Sequence, residues 1–133
     1  MNTKAKGSRN ERRGKDLLYS MGAYGVTKAG GSLGVFDLIA IMPGSILWCV
    51  QVKTNVWPGR EEMTAIARFP QTDEHPEWPT DLDRVWKLVF MFKDREEHPR
   101  IKLIRDGEEI TCKIEQNVLA FESINDRKTN LRG

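Results

Sequence analysis

The sequence predicts an α/β fold in which a helix, three strands, a second helix and further strands build around one central mixed β-sheet. Three observations lead there. Apolar residues recur at helical spacing near the start, residues 35–53 form two apolar runs around Pro43-Gly44-Ser45, and residues 84–114 hold three more strand-like runs. At 133 residues the chain has room for one domain, 1–133, with a single sizeable core.

Residues 8–21 read as the first helix. Gly14, Leu17, Leu18 and Met21 form its apolar stripe, Ser8 with Glu11 fits a capping box, and Gly22 suits the end. Residues 1–7 then form a basic N-terminal arm. Residues 23–29 suit a short strand, and Gly30-Gly31-Ser32-Leu33-Gly34 a flexible loop. The runs 35–42 and 46–53 make a hairpin. Pro58-Gly59 opens a second helix over 60–68, bearing Met63, Ile66 and Ala67. Residues 70–83 are polar and proline-rich, a long surface loop of the kind that is often functional.

Residues 84–93 form a strongly apolar strand. Runs 100–105 and 108–114 flank Asp106-Gly107, a hairpin signal that puts Ile101, Leu103, Ile110 and Cys112 on one face. The tail, 115–133, mixes a short helix candidate with a polar end.

Bulk properties narrow the function. No apolar run approaches the roughly 20 residues that span a membrane, and the first residues lack the apolar core of a signal peptide. Cys49 and Cys112 form no metal-type pair and no disulfide framework, so they read as reduced core cysteines of a cytoplasmic protein. His75 and His98 each precede a proline in hydrophilic segments and read as solvated loop residues. Trp48 and Trp86 read as core; Trp57 and Trp78 cover an edge or touch DNA bases, packing being the simpler reading.

Net charge is only +2, yet Lys4, Lys6, Arg9, Arg12, Arg13 and Lys15 face a single acid, Glu11, in the first fifteen residues. That segment carries +5 and the remainder −3. A basic arm on a near-neutral body suits a polyanion, because lysine and arginine displace counterions from phosphate; a solubilising terminus is the plain alternative.

The most informative stretch is the hairpin. Strand side chains alternate, so Asp37, Ile39 and Ile41 share one face, as do Leu47, Cys49, Gln51 and Lys53. A three-residue loop sets Met42 against Ile46 and, counted back, Asp37 against Gln51. Opposed residues have Cβ atoms about 4.5–5.5 Å apart, and Lys53 is then the diagonal neighbour at about 7–8 Å. A loop of two or four residues would break this parity.

An acid, an amide and a lysine on one buried face need partners or a metal. Asp37 can give a carboxylate oxygen, Gln51 an amide oxygen and Val52 a backbone carbonyl, an oxygen set suited to Mg2+. Lys53 suits polarising an attacking water or stabilising charge at phosphorus. The plain alternative is a buried polar pair with Lys53 emerging at the strand end. Glu11 likewise has two readings. It caps the helix, or, lying on the same helical face as Gly14, Leu18 and Met21, it reaches the metal cluster from the rim.

The run Gly7-Ser8-Arg9-Asn10-Glu11-Arg12, then Gly31-Ser32, Phe36-Asp37-Leu38-Ile39-Ala40 and Val50-Gln51-Val52-Lys53, resembles the PD-(D/E)xK nuclease superfamily. Within it the chain is most similar to archaeal and phage Holliday junction resolvases and to small virus-type nucleases. The likeness covers residues 7–68 well and the later strands in outline. It implies a restriction-endonuclease-like core and a metal-dependent endodeoxyribonuclease. Asp37 and Gln51 then correspond to metal ligands, Lys53 to the catalytic lysine, Glu11 to the helix glutamate of the metal site, and Ser32 to a loop serine near the scissile phosphate.

The implied cofactor is Mg2+, with Mn2+ able to substitute. The implied partners are branched or junction DNA and a second copy of the chain in a homodimer. Lys4, Lys6, Arg9, Arg12, Arg13 and Lys28 are the expected DNA contacts. Two departures stand out: Phe36 replaces the motif proline, and Gln51 replaces the usual acid, removing one negative charge. Other nucleases of the superfamily, of repair or restriction type, and a catalytically silent DNA-binding module are the alternatives.

Overall fold

A computed structural model describes residues 3–30 and 34–122. Helix α1 (Thr3–Ser20) leads into β1 (Gly25–Lys28), β2 (Leu38–Met42) and β3 (Ile46–Thr54). Helix α2 (Arg60–Arg68) follows, then β4 (Val85–Phe92), β5 (Arg100–Arg105), β6 (Glu108–Glu115) and β7 (Val118–Phe121). The seven strands form one mixed sheet in sequence order. Every neighbouring pair is antiparallel except β3 and β4, which run parallel because α2 carries the chain from one to the other.

The two faces of the sheet build separate cores. On one, Leu18 of α1 packs with Leu38, Val50, Phe90, Ile101 and Cys112. Gly14 lets the helix come this close, since a Cβ there would lie 3.1 Å from Leu38 Cδ1. The sheet curls over this face, so that Leu119 of β7 joins the same core as Met21 just beyond α1. Trp48 and Trp86 stack here at 5.7 Å, as the core reading of both expected. On the other face Ile66 of α2 packs with Phe36, Cys49, Val89 and Ile104.

The hairpin has the expected parity. Met42 pairs with Ile46 and Leu38 with Val50 across Pro43-Gly44-Ser45, where Gly44 and Ser45 take positive φ. Helix α2 has the bounds read from the sequence, and Ile101 pairs with Cys112 and Leu103 with Ile110 around Asp106-Gly107. Both cysteines are free and buried, and burial pushes each thiol up to about 11.

Three expectations need correction. Helix α1 starts at Thr3, so Ser8 lies inside it and makes no cap, and the basic segment is helical. Lysine, arginine and alanine are good helix formers, and Lys6 is held by Asp94 at 2.9 Å. The early strands are shorter than expected, β1 at Gly25–Lys28 and β2 from Leu38. The tail supplies β7 in place of a helix: Gln116 and Asn117 take positive φ, and the strand pairs along the open edge of β6. Residues 123–133 of that tail lie outside the described residues, as does Ser32. Among the described residues no helix is long and apolar enough to cross a membrane.

Candidate metal centre

The candidate centre lies where β2 begins and β3 nears its end. Asp37 stands one residue before β2, and its backbone N–H donates to the Val50 carbonyl at 2.8 Å. Its carboxylate Oδ2 accepts the Val52 N–H at 2.7 Å. Asp37 therefore spans Gln51, bonded to the residues on either side of it. Leu47 and Asn55 donate their N–H groups toward β4, so the alternating even residues of β3 present their backbone groups toward β2. The Val52 carbonyl thus faces the same edge as Asp37.

Gln51 is 4% exposed. Its Nε2 donates to the Val35 carbonyl at 3.1 Å and to Glu62 Oε2 at 3.4 Å. Its Oε1 is buried without any hydrogen-bond partner among the described residues. Native buried polar atoms are almost always satisfied, so an orphaned amide oxygen marks a site for a donor or a cation. Lys53 Nζ lies 3.3 Å from Glu62 Oε1, on the same face.

Burial holds the Asp37 carboxyl above its ordinary range. The Val52 N–H and Lys53 act against this, while the charges of Glu11 and Glu62 add to it. Burial and two nearby acids outweigh the Val52 N–H and Lys53 at this carboxylate. Glu11, on α1, is held by Lys28 at 3.5 Å and stands at the rim. Asp37, Gln51 Oε1, the Val52 carbonyl and Glu11 are hard oxygen donors, the chemical type that suits Mg2+ or Mn2+. Among the described residues no three His, Cys, Asp or Glu side chains gather into a metal group by themselves.

The expected DNA contacts divide. Arg9 and Arg12 are exposed on α1, with Lys15 continuing the same three-residue spacing. Lys4 lies within α1. Lys6 and Lys28 sit in ion pairs with Asp94 and Glu11. Arg13 is committed elsewhere: it donates to Asn10 Oδ1 and to the carbonyls of Glu96 and Glu97, and lies over the Phe92 ring at 4.6 Å. Trp57 packs in the α2-side core with Lys102 over its ring, while Trp78 is partly exposed and stacks on His75.

Two residues escaped the sequence reading. Glu62 sits three positions after Gly59, and its carboxylate reaches back to the Gly59 N–H at 3.4 Å. The capping-box spacing was its available signal. Lys87, 3% exposed, donates to the carbonyls of Ala67, Phe69 and Thr80 and lies 3.6 Å from Asp81. A lone charge inside the apolar run of β4 was its signal. Compared with known proteins, the chain matches no family model and no curated protein.

Proposed function

We propose that the protein is a metal-dependent endodeoxyribonuclease with a restriction-endonuclease-like core, acting on branched DNA as a homodimer in a reducing cytoplasm. The observation that carries this reading is Gln51 Oε1, buried with no hydrogen-bond partner among the described residues, on the residue that a desolvated Asp37 brackets through its bonds to Val50 and Val52. Asp37, Gln51 and the Val52 carbonyl would hold Mg2+ or Mn2+, with Glu11 joining when Lys28 turns to phosphate. A bound divalent ion supplies an acidified water and offsets charge at phosphorus. Lys53 contributes a fixed positive charge at the reacting phosphate once it exchanges Glu62 for a phosphate oxygen. Arg9, Arg12 and Lys15 meet the backbone of the DNA. Among the described residues β1 is an edge strand, with Tyr24 and Ile41 exposed beside it, and a second copy would pair there.

One observation favours a second reading. Lys53 is already paired with Glu62, and Gln51 removes an acid, so a module that binds DNA without cutting it also fits. Incubation with junction, flap, duplex and single-stranded DNA, with Mg2+ or Mn2+, separates the two. Metal-dependent cleavage that disappears in Lys53→Ala supports the nuclease. Retained binding with no cleavage of any substrate leaves the silent module.

A further inference from the structure

The replacement of an acid by Gln51 removes a negative charge, yet an acid stands 3.4 Å from that amide, supplied by another element. Glu62 lies in the first turn of α2 and reaches the face of β3 that carries Gln51 and Lys53. Its two oxygens are divided: Oε2 accepts from Gln51 Nε2, and Oε1 from Lys53 Nζ and the Gly59 N–H.

A glutamine amide can turn end for end, and its orientation is set by its neighbours. Here both neighbours are acceptors only. The Val35 carbonyl lies 3.1 Å away and the Glu62 carboxylate 3.4 Å away. Turning the amide would set its oxygen against two other oxygens. The nitrogen is therefore held on the α2 side, and Oε1 is left buried with no partner among the described residues.

Resting on the nuclease reading, we infer that Glu62 is a positioning residue of the metal centre: it locks the Gln51 amide so that Oε1, and not Nε2, is presented to a divalent cation, while it parks Lys53 beside the same centre. The inference also gives a reason for the departure at position 51. A carboxylate there would face Glu62 and the Val35 carbonyl, a repulsive contact, whereas an amide satisfies both. On the nuclease reading, the acid then stands on the helix instead of the strand, and the charge of the neighbourhood is kept.

The test uses the full chain and two readouts. In metal-free protein, the Gln51 side-chain NH2 resonances, identified by their loss in Gln51→Ala, report the amide's hydrogen bonds. Calorimetric titration with Mn2+ reports affinity. Glu62→Gln is expected to shift the Gln51 NH2 resonances and to weaken Mn2+ about tenfold, the lower end of what loss of a ligand's supporting partner does. Gln51→Glu with Glu62→Gln, which exchanges acid and amide and leaves only the Val35 carbonyl against the new carboxylate, is expected to recover about half of that tenfold loss on a logarithmic scale, to within about threefold of the original protein.

Unchanged Gln51 resonances and unchanged Mn2+ affinity in Glu62→Gln overturn the inference and leave the nuclease reading standing. If Glu62→Gln does not fold, the exchanged double variant decides: Mn2+ binding that it fails to recover overturns the inference. A wild-type protein that binds no Mn2+ and cuts no DNA overturns both.

Discussion

Asp37 accepts the backbone N–H of Val52 through Oδ2 at 2.7 Å, although β2 itself begins one residue later. The side chain takes the place that a backbone carbonyl would hold in a longer ladder. The bond fixes one carboxylate oxygen at the residue that follows Gln51. The group is held in geometry while burial and neighbouring acids oppose its charge.

Asp37→Asn should therefore separate stability from activity. Asparagine keeps an oxygen for the Val52 N–H and removes a desolvated charge, so the fold should gain on the order of 1 kcal/mol at neutral pH, as single stabilising changes do. Cleavage should be lost. Thermal melts beside cleavage assays check this; a destabilised variant would show that the charge is compensated within the fold.

The raised Asp37 value also sets a pH dependence. Its folded value lies above the unfolded one, so ionisation opposes folding. The Asp37 contribution favours the fold as pH falls through the raised value, and disfavours it above that value. Metal competes with that proton. Mn2+ binding should weaken as pH falls through a value above the ordinary carboxylate range, with proton release that is absent in Asp37→Asn. Calorimetry in buffers of different ionisation enthalpy measures the release, and no release at any pH would sink the assignment.

The basic residues of α1 should behave in two ways. Replacing Arg9 and Arg12 by alanine removes two exposed charges, so the slope of log K against log salt should become shallower by about 2 if both meet phosphate. Arg13→Ala should instead lower stability, because Arg13 ties α1 to the carbonyls of Glu96 and Glu97. DNA titrations at several salt concentrations, with melts of each variant, distinguish the roles.

Lys87 ties the carboxyl end of α2 to the far end of the 70–83 loop with three carbonyl bonds. Burial lowers its pKa, and the Asp81 charge works against that shift. Lys87→Met strands those carbonyls and Asp81, and should lower stability by on the order of 3 kcal/mol in denaturant unfolding. A change below about 1 kcal/mol, the net worth of one ordinary hydrogen bond, would show that water replaces the ammonium.

The hairpin was legible because three turn residues fix parity, and parity decides which side chains share a face. Helix α2 was legible because Pro58-Gly59 and the spacing of Met63 and Ile66 are local signals. The start of α1 was not. Its early turns are steadied by the Lys6–Asp94 contact, whose partners lie 88 residues apart in sequence. Strand β7 needed the open edge of β6, which no reading of 115–121 alone supplies. Glu62 and Lys87 carried weak local signals, and both act between α2 and the sheet, through a parallel crossover that brings together segments with no shared pattern.

That crossover divides the candidate centre by reach along the chain. Asp37 and Val52 meet through a short hairpin, a closure needing only local contacts. Glu62 is held where it is because Ile66, one turn on, is wedged against Val89 and Ile104 of distant strands. Weakening that wedge, as in Ile104→Ala, should raise hydrogen exchange at Met63 well before it does so at Val52. The centre grips with its near neighbours and aims with its far ones, so damage remote from it would blur the orientation of Gln51 while the carboxylate stays in place.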